Sequence, residues 1–249
     1  MHYQFVHNRQ EVARFQSLVY NGLVDNHIHQ ICLSARRKYG ANIHTSAFHF
    51  HHLMINGSVI EREDGLCSYV QRYEVPVGTF LDDEQKPFDI SCLSIYSTLN
   101  ARDACQVVEN LYNGYFQELK AASKSGMGIK FNLKNLLKSE VSKCVAKAKD
   151  TPFYLQIDVD TKDEETINKV IDWVRTRKIP IYFSTETRGG YHLVFDRRKV
   201  PNDQQRNLSM NIAEVEILNA DHLLTIPGTY QGGFATTFAD WLTDSCNTV

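Results

Sequence analysis

Residues 152–228 constrain the fold of this chain more than any other part, because their apolar period switches between strand-like and helical several times. "FYLQIDV" alternates as a strand. "KDEETINKVIDWVRTR" then carries Ile167, Val170, Ile171 and Val174 at the spacing of one helix face. "IPIYFS" and "YHLVFD" read as two further strands joined through "TETRGG", and a polar stretch separates them from strand-like "AEVEIL" and "LLTIPG". Strands that first alternate with a helix and later pair through short turns point to an α+β or α/β fold with a mixed β-sheet and helices packed on it, of which α+β is the expectation.

The preceding residues add helices and fewer clear strands. Residues 8–20 place Val12, Phe15, Leu18 and Val19 on one helix face, "TSAFHFHHLMI" alternates loosely as a strand, and "DISCLSIYSTLNARDA" reads as a strand feeding a helix at Asp103. The stripe of that helix is Val108, Leu111, Tyr112, Tyr115 and Leu119. The pattern changes near residue 150, giving an N-terminal α/β portion, 1–150, and a second portion, 151–249, packed as one compact unit. At 249 residues, with 43% hydrophobic and 22% charged side chains, the chain is long enough for a substantial core. No apolar run approaches membrane-span length, and the first residues lack the pattern of a signal peptide. The six cysteines are scattered without any C-x-x-C, which argues against a zinc ribbon or disulfide scaffold. A reducing, cytoplasmic compartment is the expectation.

Asp158 and Asp160 end the strand "LQIDVD" two residues apart, so both carboxylates leave the same face. They repel unless a cation joins them, and a divalent metal with oxygen ligands is one solution. The other is that they cap the helix that follows. A third acid is available in "AEVEIL", where Glu214 and Glu216 again share a face. Between these motifs lies "STETRGGYH". Ser184 is in phase with Tyr182 and His192 with Val194, and Gly189 and Gly190 permit close approach of backbone to a ligand. Arg188 adds a charge suited to phosphate. A hydroxyl, an imidazole, backbone amides and a guanidinium around one turn suit a triphosphate.

The net charge of −2 hides a local bias: residues 120–149 hold eight lysines and one acid, Glu140. Leu133, Leu136, Leu137, Val141, Cys144 and Val145 recur at helical spacing, leaving Lys134, Lys138 and Lys143 on a basic outer face. Such a face is either solvated or tracks nucleic-acid phosphates. Arg36 and Arg37, with Lys38 in "SARRKYG", form a second basic cluster.

In order and spacing, "LQIDVD", "FSTETRGGYHLVF" and "EVEILNADHLLTIPGTYQGG" resemble the three motifs of the archaeo-eukaryotic primase superfamily, over about a third of the chain. The resemblance implies an RRM-like primase-polymerase catalytic core and template-directed nucleotidyl transfer. It further implies Mg²⁺ or Mn²⁺ held by Asp158, Asp160 and Glu216, with Glu214 as the alternative third acid. Ser184, Arg188, Gly189, Gly190 and His192 are then the nucleotide-binding set, with DNA and nucleoside triphosphates as partners. The lysine-rich helix and Arg36 and Arg37 become the nucleic-acid path. No cysteine-rich zinc module and no P-loop are present in this sequence, so a helicase would be a separate chain or a missing part. Two rival readings stand beside this one. In the first, a primase-like fold binds nucleotide or nucleic acid without polymerising. Alternatively, His49-Phe50-His51 resembles the metal motif of rolling-circle replication endonucleases, which need a nucleophilic tyrosine such as Tyr112 or Tyr115.

Overall fold

The computed structural model describes residues 1–20, 26–45, 47–56, 65–125, 153–201, 208–218 and 222–248. Their architecture is α+β: two sheets with five helices among the described residues. The second sheet is built from β5 (Tyr154–Val159), β6 (Ile181–Glu186), β7 (Tyr191–Asp196), β8 (Val215–Leu218) and β12 (Thr237–Phe238), in the order β12-β6-β7-β5-β8. Every pairing in it is antiparallel, not mixed as the strand–helix–strand alternation implied. The reason is topological. The helix α4 (Glu164–Thr176) connects β5 to β6, but β7 inserts between those two strands, so parallel neighbours are separated by an antiparallel one.

Strand alternation sorts this sheet's faces. Leu155, Ile157 and Val159 of β5, with Leu193 and Phe195 of β7, pack on Ile167, Val170, Ile171 and Val174 of α4. Leu242 and Cys246 of the last helix, α5 (Asp240–Asn247), complete this core. The other face carries Tyr154, Gln156 and Asp158 on β5. α4 is capped by Asp163, whose side chain accepts from the Thr166 amide, so neither Asp158 nor Asp160 serves as the helix cap.

The first sheet runs β11-β10-β3-β1-β2, with β4 and β9 also attached. Its strands are β1 (His27–Arg36), β2 (Ala47–Asn56), β3 (Leu93–Thr98), β4 (Arg102–Asp103), β9 (Leu223–Thr225), β10 (Tyr230–Gln231) and β11 (Phe234–Ala235). Three of these come from beyond residue 150, so the boundary read from the sequence does not partition the sheets. The core beneath joins Val12, Phe15 and Val19 of α1 (Arg9–Val19) and Leu66, Cys67 and Val70 of α2 (Gly65–Gln71). It also takes Tyr154, Phe183 and Val194 from the second sheet. Asn100 ties the sheets directly: its Nδ2 donates to the Tyr154 carbonyl at 2.8 Å and its Oδ1 accepts from the Tyr154 amide at 2.6 Å. The asparagine side chain pairs the Tyr154 backbone on the edge where β8, whose pairing with β5 runs from Gln156 to Val159, does not reach.

α3 (Ala104–Ser125) departs from expectation. Its stripe is not turned into either core: Val108 is 65% and Tyr112 64% exposed, and Tyr115 is also exposed. Among the described apolar side chains of α3, Val107 is buried. The lysine-rich segment that continues the chain, including Lys134, Lys138 and Lys143, lies outside the described residues. No described helix is long and apolar enough to cross a membrane.

Candidate active-site cleft

The three sequence motifs meet in one row. On β5, Asp158 is the register partner of His192 on β7 and of Glu216 on β8. Directly opposed side chains share a sheet face, with Cβ atoms about 5 Å apart. Val215 and Ile217 point into the core around α4, which turns Glu216 to the side of Asp158. Asp160 follows just past the strand, its amide donating to the Glu214 carbonyl at 2.8 Å. Between the two candidate third acids, register favours Glu216, whereas the charge of Glu214 acts on Lys169 of α4. Glu216 is exposed and does not line the cleft described below.

His192 Nε2 lies 3.2 Å from Asp158 Oδ1, and since a carboxylate only accepts, the imidazole donates. Burial pushes the Asp158 carboxyl up. The hydrogen bond and charge of His192, joined by the charges of Lys38 and His222, outweigh this and hold it below the usual range. His192 is 8% exposed and its Nδ1 is buried without a hydrogen-bond partner.

The two glycines before His192 have different duties. A Cβ at Gly190 would stand 1.8 Å from the Val159 carbonyl oxygen and 2.7 Å from the backbone of Thr161, so only glycine lets the turn lie against the end of β5. Its amide donates to Thr187 Oγ1, and the Thr187 amide to the Gly190 carbonyl, closing the turn. The Gly190 amide is therefore not free for an anion. Gly189 faces Asp160 with ordinary room around it and lines the cleft.

Arg188 is engaged elsewhere. Its Nη1 donates to the Gly232 carbonyl at 2.7 Å and the Ser91 carbonyl at 3.3 Å. Its guanidinium stacks 4.7 Å over Tyr39, and its amide donates to Gln231 Oε1. The arginine read as a phosphate contact docks its turn onto the first sheet. Ser184 also departs from the sequence reading. It is fully buried on the α5 side, where Thr243 Oγ1 donates to its Oγ at 3.0 Å. The register against β7 shifts between Ile181 and Phe183, and the extra residue reverses the phase of everything after it. Thr185, not Ser184, is the residue level with His192.

Opposite the acid row stands a wall from the first sheet. Arg36 ends β1, a 3-10 turn spans Arg37–Tyr39, and Tyr96 lies on β3. With Lys38, Gln156, Asp158, Asp160, Thr187, Gly189, His192, His222 and Gln231 they bound a cleft of about 480 Å³. Arg36 Nε is buried without a hydrogen-bond partner, and its guanidinium lies 5.6 Å over Tyr96. Lys38 Nζ is 3.8 Å from Asp160 Oδ1. Arg37 is exposed and does not line the cleft. Of the residues that sequence reasoning left out, Gln156 was legible as the next same-face position before Asp158. Tyr39, Tyr96 and Gln231 carry no local signal.

The donor set suits a hard divalent ion in kind: carboxylates on one face, with Gln156 Oε1 buried and unpartnered nearby. Among the described residues no three His, Cys, Asp or Glu side chains converge as ligands, and the Lys38 ammonium stands where a cation is wanted. His49 and His51 lie on the edge strand β2, level with Ser34 and Leu33 across a register shift, and their side chains lie outside the description. Compared with known proteins, the chain matches no family model, no curated protein and no solved structure.

Proposed function

We propose that this chain is a primase-polymerase-like nucleotidyltransferase that adds nucleotides from nucleoside triphosphates to a nucleic-acid 3′-hydroxyl on a DNA template. One observation carries the reading. Asp158, His192 and Glu216, drawn from motifs dispersed along the sequence, occupy a single register row, and Asp158 and His192 of that row line a cleft with a basic opposite wall. Asp158, Asp160 and Glu216 would hold Mg²⁺ or Mn²⁺. When bound, such ions lower the pKa of an attacking hydroxyl and neutralise departing pyrophosphate. His192 fixes the orientation of the Asp158 carboxylate, and Arg36 and Lys38 offer positive charge to a polyphosphate. A cleft of about 480 Å³ is within the range that encloses a nucleotide-sized ligand. The five described cysteines are free, which fits action in a reducing compartment.

Incorporation of labelled nucleotide on a primed template with Mg²⁺ or Mn²⁺ tests the reading. Wild-type protein should extend the primer and Asp158→Ala should not; extension by a correctly folded Asp158→Ala protein would refute the assignment. A second reading, a nucleotide-binding module without polymerase activity, rests on a specific feature: Asp158 and Asp160 already have His192 and Lys38 as partners. The acid pair is therefore not left uncompensated in the absence of a metal. Nucleotide binding with no extension under any divalent ion would favour it.

A further inference from the structure

Lys38 is placed unlike any other cation of the cleft. The 3-10 turn after β1 carries it across to the acid row, where it is the one cation paired with Asp160 among the described residues. Asp158 has His192 instead. Both side chains of the Lys38–Asp160 pair are about half exposed, 51% and 65%, and at 3.8 Å the contact is loose. Pairs of this kind shift an equilibrium by no more than about fivefold. From the same position the ammonium also lies 5.6 Å over the Tyr39 ring, on the same wall. The surroundings are built to receive a polar ligand: Gln156, 3% exposed, and His192, 8% exposed, each present a buried polar atom with no hydrogen-bond partner beside the acids.

We propose that Lys38 is the resident counter-ion of the acid pair, displaced from Asp160 when a divalent ion binds and thereby released to a polyphosphate in the cleft. The inference rests on the metal-dependent reading above. A doubly charged ion on Asp160 both replaces the ammonium's attraction and repels it. The loose pair yields easily, and the freed lysine has anionic phosphate as its next partner. Metal and polyphosphate are thus coupled through one side chain.

The test is Mn²⁺ binding to the full chain, followed by electron paramagnetic resonance of the free ion, in wild type, Lys38→Ala, Lys38→Arg and Lys162→Ala. Lys162 is two residues from Asp160 but pairs with Glu186, so its loss removes the same charge without freeing the acid. Lys38→Ala should bind Mn²⁺ about three- to fivefold more tightly, Lys38→Arg close to wild type, and Lys162→Ala within about 1.5-fold of it. With Mn²⁺ saturating, Lys38→Ala should also bind inorganic triphosphate about threefold or more weakly. Unchanged or weaker Mn²⁺ binding by Lys38→Ala would overturn the proposal, and so would equal tightening by Lys162→Ala. Absence of Mn²⁺ binding in wild type would instead bring down the metal-dependent reading itself.

Discussion

Replacing Gly190 by alanine tests how the His192 turn is seated. The new methyl carbon would lie 1.8 Å from the Val159 carbonyl oxygen and 2.7 Å from both the amide and the carbonyl of Thr161. These are backbone atoms at the end of a central strand, so no rotamer change relieves the overlap. The turn and β5 would have to part by roughly 1.5 Å to reach ordinary contact. That movement strains the Thr187–Gly190 closure and the register in which Asp158 meets His192. Overpacking against unyielding neighbours places the loss at about 3 kcal/mol. Urea unfolding should then show a midpoint lowered by about 1 M, taking a slope of about 3 kcal/mol per M. Gly189→Ala is the internal control. Its Cβ would meet nothing closer than 3.5 Å, and its φ is outside the left-handed region. Its stability should stay within about 0.5 kcal/mol of wild type, because a compatible Gly→Ala change chiefly restricts the unfolded chain. Equal destabilisation by both changes, or none by Gly190→Ala, would refute the packing argument.

Three further outcomes follow from the structure. His192→Ala should lower kcat/KM for nucleotide about 30- to 150-fold, the equivalent of about 2–3 kcal/mol, as measured by primer extension. Full activity would remove His192 from the site. Arg188→Ala should cost about 1–2 kcal/mol of stability in denaturant titration, since it loses the Gly232 carbonyl and the Tyr39 face. Asp196 supplies a pH dependence. Burial pushes its carboxyl up, but bonds from the Arg198 side chain and amide hold it below the usual value of 3.8. The folded state thus binds this proton less readily than the unfolded state. Its stabilisation is complete above 3.8 and is lost as the pH falls through the lower folded value. Asp196→Asn should therefore be less stable at neutral pH and show a shallower acid decline in stability measured from pH 6 to 3.

Alternation and helical spacing are local properties, and wherever they decide the structure they were legible in the residues. The inward face of α4 and the α+β class both follow from such spacing. β1 was not legible. His27, His29, Gln30 and Ser34 are buried along with the apolar residues between them, so both faces of the strand are covered and no polar-apolar alternation marks it. Other features depended on partners distant in sequence. A bulge in β6 that exists only against β7 turned Ser184 to the far side of the sheet and put Thr185 beside His192. Cross-strand register, which no stretch of β8 encodes alone, set Glu216 and not Glu214 level with Asp158. Arg188 carries the charge of a phosphate ligand, yet the carbonyl of Gly232 and the ring of Tyr39 claim it. The period of a side chain along its own backbone is written in its neighbours, whereas the partner it meets is fixed only when separate strands align.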